Sequence, residues 1–507
     1  MTVSFNNIPA GNNIRVPLFY AEMDNSQANV ISLGWKTLLI GQKLTAGSQA
    51  NNTPVAVSSV SQAKALFGVG SMLARMVEIY RNSDLNGELW CMAVNDAGGG
   101  TNASGTITAA GTASAAGSIS LYIAGQKISV AVASGDTATV VATNINAAIN
   151  AATDLPVTST VATNTVTLTC RWKGATGNDI SMQDSFRGAA GGEALPTGVG
   201  LTYSGSGFLT AGATNPTLSG APITALGDDQ YDFIIHPYND TASMDALATE
   251  MNDSSGRWSY SRQVYGHCYT ALRGTYANLL AAGAARNDQH NTIAAIDVDC
   301  PHPNWEYAAA YGARNAIFIS IDPARPTQTG ELTGLLAPRA GKRFLWSERN
   351  SLLGSGIATS MINVGAILIE RAITTYQKNT FGQGDTSYLD SETLHTSAYI
   401  LRYLRTAITS KYPRHKLAND GTRFGAGQAI VTPSVARGEI LAAYTELESQ
   451  GIVENRDLLN TYLIVERNSS NPSRLDVLLP PDYVNQLRIF AVLDQFRLQY
   501  PASATAA

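Results

Sequence analysis

Six histidines, four cysteines and a scatter of serines are the side chains of this 507-residue chain that could carry nucleophilic or metal chemistry. His236, His267, His290, His302, His395 and His415 could act as bases, but a serine hydrolase also needs its nucleophile raised on a strained strand-to-helix turn. No G-x-S-x-G elbow occurs, and Ser355, inside Gly354-Ser355-Gly356, lacks the flanks that would present it. Asp297-Val298-Asp299-Cys300-Pro301-His302 gathers metal-ligand types, yet Pro301 and Pro303 hold the segment extended and no second group has zinc spacing. It reads as a structured loop. Gly382-Gln383-Gly384 and Gly425-Ala426-Gly427 lack the lysine and hydroxyl that follow a phosphate-cradling loop, so they read as turns. Cys91, Cys170, Cys268 and Cys300 form no C-x-x-C pair and suit reduced thiols better than a disulfide framework. The chain is therefore expected to have no catalytic residues, no metal ligands and no cofactor.

The strongest charge cluster is Arg402, Arg405, Lys411, Arg414, His415 and Lys416. A nucleic-acid patch would need a basic domain around it, whereas residues 331–500 carry 18 basic against 16 acidic side chains. Cations gathered at the end of a helix suit the helix dipole. The cluster thus reads as a solvated helix face or a protein–protein electrostatic patch.

Apolar periodicity supplies the elements behind these residues. Short buried-type strands are expected at Thr37–Ile40, Leu89–Val94, Tyr231–Ile235, Thr292–Ile296, Ala316–Ser320 and Ala366–Ile369, separated by helical stretches such as 71–80 and 243–251. Strand and helix in alternation argue a mostly parallel sheet with helices on its faces. Ile119–Ile123, Gly125 and Lys127–Val132 read as a hairpin, 136–151 as a helix and Thr165–Cys170 as a strand. Further on, Leu394, Ala398, Leu401, Leu404 and Ile408 share one helical face that stops before Pro413. Thr432-Pro433 gives an N-cap with proline at the first helical position, and Gly451 ends that helix. Strands follow at Thr461–Val465 and Leu475–Leu479, then an extended segment at Val484–Val492. Near the N-terminus, Val16, Leu18 and Tyr20 alternate as in a strand, but Pro17 confines it to an edge or an arm.

Composition divides the chain. Charged residues make up 14%, where about a quarter is usual, and the formal net charge is -5. Such a surface argues against nucleic acid and leaves self-assembly open, because large monomers keep apart by charge. No apolar run reaches the roughly 18 residues of a membrane span, and no secretory signal is read at the N-terminus, so no membrane insertion is expected. The 125 residues from Asp96 to Gly220 hold 10 charged side chains, against 34 in the 170 from Glu331 to Tyr500. The poor stretch reads as a β-rich domain inserted through Gly98-Gly99-Gly100 and left through the glycine-rich 188–220.

In the last third the residues become specific. Glu370-Arg371-Ala372-Ile373-Thr374-Thr375-Tyr376-Gln377, Lys411-Tyr412-Pro413-Arg414-His415-Lys416-Leu417, Thr432-Pro433 and Gly451-Ile452-Val453-Glu454-Asn455 appear in order. Val465-Glu466-Arg467-Asn468, Asn471-Pro472-Ser473-Arg474-Leu475-Asp476-Val477 and Pro480-Pro481-Asp482-Tyr483-Val484-Asn485-Gln486-Leu487 follow. With Ile8-Pro9, Ile14-Arg15-Val16-Pro17 and Ala21-Glu22 at the start, this pattern resembles the contractile tail sheath proteins of Mu-type bacteriophages.

The resemblance implies a multidomain α/β (α+β) fold: a mixed sheet core with helices on its faces, an inserted β-rich domain and extended N- and C-terminal arms. Its divisions would be an arm and linker over 1–30, a central domain over 31–95 and 221–345, an outer insert over 96–220, a C-terminal domain over 346–486 and a strand arm and tail over 487–507. It implies a virion-tail protein, assembled in the host bacterial cytoplasm as stacked hexameric rings around a tail tube. Its partners would be itself, the tube protein, and baseplate and tail terminator proteins. The sleeve contracts on triggering and drives the tube through the host envelope, with the energy stored in assembly. In similar sheaths the arms add strands to a neighbour's sheet. Here those strands would involve Ile14, Val16, Leu18 and Tyr20 at one end and Leu487, Ile489, Ala491 and Leu493 at the other. Arg402, Arg405, Lys411, Arg414 and Lys416 would be electrostatic contacts to the tube. Alternatives with the same subunit are a phage-derived bacteriocin or injection system; more distant is a glycan-binding adhesin, suggested by the Thr/Ser/Ala/Gly-rich insert.

Overall fold

A computed structural model of the protein describes residues 34–425 and 427–499. The expected strand at Ile14–Tyr20 lies outside the described residues. The first elements are β1 (Lys36–Gln42), β2 (Val55–Ala56), α1 (Val60–Phe67), α2 (Met72–Ser83) and β3 (Glu88–Val94). α1 and α2 are each opened by a serine, Ser59 and Ser71, whose hydroxyl accepts an amide of the first turn. After the insert the chain returns with β11 (Phe233–Ile235), β12 (His267–Arg273) and β13 (Asn291–Ile296), which join the first three strands in one sheet of order β13-β12-β11-β1-β3-β2. All neighbours are parallel except the short edge strand β2.

The insert comprises β4 (Asn102–Gly111), β5 (Gly117–Ile123), β6 (Gln126–Val132), α3 (Ala138–Ala151), β7 (Val157–Ala162), β8 (Thr165–Lys173), β9 (Met182–Asp184) and β10 (Val199–Tyr203). They make a four-stranded sheet, β10-β4-β8-β7, and a three-stranded sheet, β6-β5-β9, with α3 between them and its Val141, Ile145 and Ile149 buried. The β5–β6 hairpin turns through Ala124 and Gly125, both at positive φ, as a two-residue primed turn requires. The stretch 188–220 is more than a linker: it contributes β10 and bridges from Phe208, Thr210 and Ala213 back to the insert.

Beyond it lie α4 (Ala221–Thr224), β11 (Phe233–Ile235), α5 (Thr241–Met251), β12 (His267–Arg273), α6 (Tyr276–Ala284), β13 (Asn291–Ile296), α7 (Asn304–Ile321), α8 (Trp346–Leu353), β14 (Thr359–Asn363) and β15 (Ala366–Arg371). β15 joins β14 in an antiparallel hairpin rather than the parallel sheet. Side chains alternate across the pleat of the main sheet. Leu38, Ile40, Ile234 and Cys268 pack with α5 on one face, while Leu39, Cys91, Phe233 and Ile235 meet α2 and α7 on the other.

The expected strand Ala316–Ser320 is the C-terminal half of α7. A short apolar run cannot be told from a fully buried helix by periodicity, and α7 is buried nearly all round, between the sheet, α2 and the insert. Gly312 lets it approach the sheet: a Cβ there would lie 2.2 Å from Ile235 Cδ1. Trp305, in its first turn, meets Trp172 of the insert edge to face at 5.2 Å. The same apolar cluster runs without a break from α2 through the sheet and α7 into the insert. Glycines flank the insert as expected, but it shares its core with the body.

The C-terminal part holds α9 (Ser391–Lys411), α10 (Pro433–Ser449) and α11 (Arg456–Tyr462). Ile400, Tyr403 and Ala407 of α9 pack on Ile440, Tyr444 and Leu447 of α10 in a separate core. Thr432 caps α10 through its hydroxyl, with Pro433 following as expected. Thr461 and Tyr462 close α11, so the expected strand at 461–465 begins only at Ile464, which pairs with Leu478. Val484–Val492 forms no strand.

Helix propensity alone favours Gly312→Ala by about 1 kcal/mol. Overpacking against buried Ile235 costs about 1–3 kcal/mol, so we expect the variant to lose up to about 2 kcal/mol net. Its denaturant midpoint should fall, and a rise would mean that α7 does not pack this closely.

Candidate assembly site

α9 carries the cations singled out in the sequence, and the structure divides them. Arg402 points inward: its guanidinium donates to Asp232 Oδ1 (2.7 Å) and to the Gly34 carbonyl (2.9 Å), and lies 5.7 Å from the Trp35 ring centre. Its side chain is already engaged within its own chain. Arg405, Lys411, Arg414 and Lys416 are exposed at and beyond the helix end. Lys411 pairs with Glu439 of α10 at 2.5 Å, and Lys416 donates to Gln428 Oε1 at 3.1 Å.

Beyond Asp482-Tyr483, which bridges Val453-Glu454, the described C-terminal segment forms no helix or strand. Leu487, Ile489 and Leu493 are 68%, 81% and 82% exposed, and Phe490, Val492, Phe496 and Leu498 are also exposed. Ala491 lies among them, exposed. Arg488 is the exception. It donates to Asp390 and Glu392 at the start of α9 (3.2 Å each) and to Gln328. Glu392 also accepts the amide and hydroxyl of Thr327. The sequence reading did not single out Trp35, Asp232, Glu392 or Arg488. The available signal was charge on a packed helical face, with Glu392 and Arg402 in register with His395 and Tyr399 at spacings of three, four and three.

The groups that could have carried chemistry are used up structurally. Asp297 accepts the Phe344 amide, Asp299 binds Arg339, and His302 Nδ1 sits 2.7 Å from Glu306, which also holds Arg75 at 2.8 Å. Burial penalises the Glu306 carboxylate, but Arg75 and His302 outweigh it and hold the carboxyl below its usual range. The His302 ring is covered by Gly125, where any Cβ would stand 2.3 Å from Cε1. All four cysteines are buried as free thiols, and burial drives each pKa up. Among the described residues no cluster could hold a metal ion, and no helix is long and apolar enough to cross a membrane.

In open α/β sheets ligands enter beyond the carboxyl ends of the strands, where the order reverses; here that place lies between β1 and β11. The insert occupies it. Gln42, at the end of β1, donates to the Lys173 carbonyl (2.7 Å), and Arg273, ending β12, pairs with Asp179 (2.5 Å). Asp179 also accepts the Asn304 amide, so the insert caps α7, whose own N-cap is Pro303. Insert residues thus line this crevice, leaving a cavity of about 230 Å³ between Asp179, Asn239 and Arg273.

Comparison with known proteins decides what this architecture is. The chain is 44% identical to the Mu-like prophage FluMu tail sheath protein of Haemophilus influenzae over 501 residues, covering 98% of this chain and all of that one. The chain belongs to the phage tail sheath family. Three family models match in turn: the tail sheath β-sandwich domain over residues 98–200, the central domain over 211–375 and the C-terminal domain over 383–497. Among solved structures, the sheath tail protein of Desulfitobacterium hafniense aligns with 93% of this chain and 97% of its own, at 11% identity and a TM-score of 0.48. The helical sheath of the anti-feeding prophage in its contracted state aligns over 96% and 99%, at 10% identity and the same score. The assignment rests on the sequence relative and the family models. This is a structural tail sheath protein of Mu-like phage type, not an enzyme.

Several sheath histidines are buried where α9 meets the sheet. His395 Nε2 lies 2.9 Å from Tyr269 Oη, and the His395 and His267 rings are 5.6 Å apart. Burial pushes His395 and His236 down to about 3, and His267 well below its ordinary value. With folded pKa values under the unfolded 6.5, the contribution of His395 and His236 is complete above pH 6.5 and is lost as pH falls towards 3. These two withdraw about 2–3 kcal/mol each by pH 4.5. We expect His395→Gln to be less stable than the parent at pH 7.5 and to recover about 2 kcal/mol relative to it at pH 4.5, measured by urea unfolding. Parallel pH curves for the two proteins would exclude His395 as a titrating group.

Proposed function

We propose that this chain polymerises as stacked six-fold rings around a tail tube and contracts to drive that tube through a host envelope. One observation carries the assembly step. From Ile489 to Leu498 the chain forms no helix or strand, is rich in Leu, Ile, Val and Phe, and is exposed along its whole length. Exposed apolar side chains outside any sheet suit an added strand, and joining a neighbour's sheet edge would bury them and pair that edge. The N-terminal residues Ile14 to Tyr20 would add in the same way. A strand tied to a neighbour along its length lets subunits rotate past one another without parting, as contraction demands.

The insert, with its uncharged skin, suits the outside of such a sleeve. The tube contact is assigned to the exposed cations Arg405, Lys411, Arg414 and Lys416; Arg402 leaves that set because Asp232 holds it. Assembly would occur in the host bacterial cytoplasm, with baseplate and terminator proteins bounding the sleeve. No cofactor enters this cycle.

Purified full-length protein is expected to form hollow striated tubes by negative-stain microscopy. Removing residues 487–507 should leave a folded monomer, by circular dichroism, that forms none. Polymers from the truncated chain would show that this segment is not the inter-subunit strand. Arg405→Glu combined with Arg414→Glu should reduce cosedimentation with the tube at least several-fold and spare self-polymerisation. Unchanged cosedimentation would move the tube contact elsewhere.

A further inference from the structure

Both arm roots end on one helix. Residue 34, where the described chain begins, gives its carbonyl to Arg402. Trp35 stacks on Tyr399 with ring planes 5° apart and 6.2 Å between centres, and its ring also faces His395 at 6.3 Å. Asp232, 1% exposed in its side chain, ties Arg402 to the start of β1 by accepting the Lys36 amide at 2.8 Å. At the other end of the chain, Arg488 is held by Asp390 and by Glu392, whose side chain is fully buried. Gln486 adds a bond to the Ala324 carbonyl at 3.1 Å. Every described residue after Arg488 is exposed.

Glu392, His395, Tyr399 and Arg402 lie along one stripe of α9, spaced three, four and three. The stripe spans about 15 Å at 1.5 Å per residue. Its acid end grips the C-terminal root, its basic end grips the N-terminal root, and two rings fill the space between. Arginine's planar fork suits such a grip because two or more donors resist displacement together.

We propose that this stripe of α9 is the mechanical tie between the two arm roots. Tension entering a subunit through one neighbour's grip on its N-terminal arm then leaves through its C-terminal arm by way of a single helix, without peeling the strands of the central sheet. The assignment rests on the sheath reading above.

Links in series have a signature that separate structural contacts lack: breaking either one disconnects the path, and breaking both adds nothing. Polymers of the full-length protein, of Arg402→Gln, of Arg488→Gln and of the double variant would be given one fixed sonication dose and their lengths measured by microscopy. Leu247→Ala, a cavity in the core on the opposite face of the sheet, serves as a control for general destabilisation. Each single variant is expected to shorten the polymers about threefold relative to that control, and the double variant by about the same factor. Independent contacts would multiply instead, to about ninefold. Multiplying effects, or breakage no greater than in Leu247→Ala, would overturn the tie. If Arg402→Gln fails to fold, Arg402→Lys keeps the charge and loses the fork, and the same comparison applies to it. If the unmodified protein forms no polymer, the sheath reading itself fails, which is a different result from polymers that break alike.

Discussion

The rest of the structure depends on burying one helix almost completely. A parallel sheet must be covered on both faces, and α7 covers one of them while touching everything else that matters. Gly312 brings it against Ile235 of the sheet, Glu306 ties it to Arg75 of α2 and to His302, and Trp305 reaches Trp172 of the insert. Asp179 of the insert caps its first turn. A buried carboxylate between an arginine and a histidine is tolerable only because both partners are present. The insert is thus part of the condition under which the body packs, although it is separated from it in sequence by glycines.

That placement also explains why an α/β fold of this kind carries no chemistry at its usual address. The space beyond β1, β11 and β12, where such sheets receive ligands, is bordered by the insert, and its polar groups are engaged in Gln42–Lys173, Arg273–Asp179 and Asn304–Asp179 contacts. His267 and His395, two of the histidines that might serve as bases, are buried among aromatic neighbours, and burial pushes their pKa values down. What remains outward is of another type: an exposed apolar end and a few exposed cations around the close of α9. On the reading proposed above, these are the parts that would hold other protein chains.

The C-terminal part is governed by a different economy of charge. α9 turns one face to its own core with α10 and another to the roots of the chain ends. Arg402 and Arg488, 86 positions apart in the sequence, both end on buried carboxylates. From sequence alone Arg402 looks like one member of a cationic cluster with Arg405, Lys411, Arg414 and Lys416. Packing separates it from them, because a buried aspartate 170 residues earlier needs a partner.

Much was legible before the structure. The short strands at 37–40, 89–94 and 292–296, the hairpin around Gly125, the cap at Thr432 and the low-charge stretch from Asp96 to Gly220 all follow from local rules of period, turn chemistry and composition. Ordered motifs from Glu370 to Leu487 identified the family, since sequence order survives without reference to contacts. The tertiary structure alone decided that Ala316–Ser320 is helix, that the insert shares its core with the body, and that Asp179 caps a helix which begins after Pro303. It also decided that Arg402 turns inward while Arg405, Lys411, Arg414 and Lys416 stay exposed. The reason is the same in each case: these outcomes depend on what a residue meets across more than a hundred positions of chain, and local pattern carries no information about that partner.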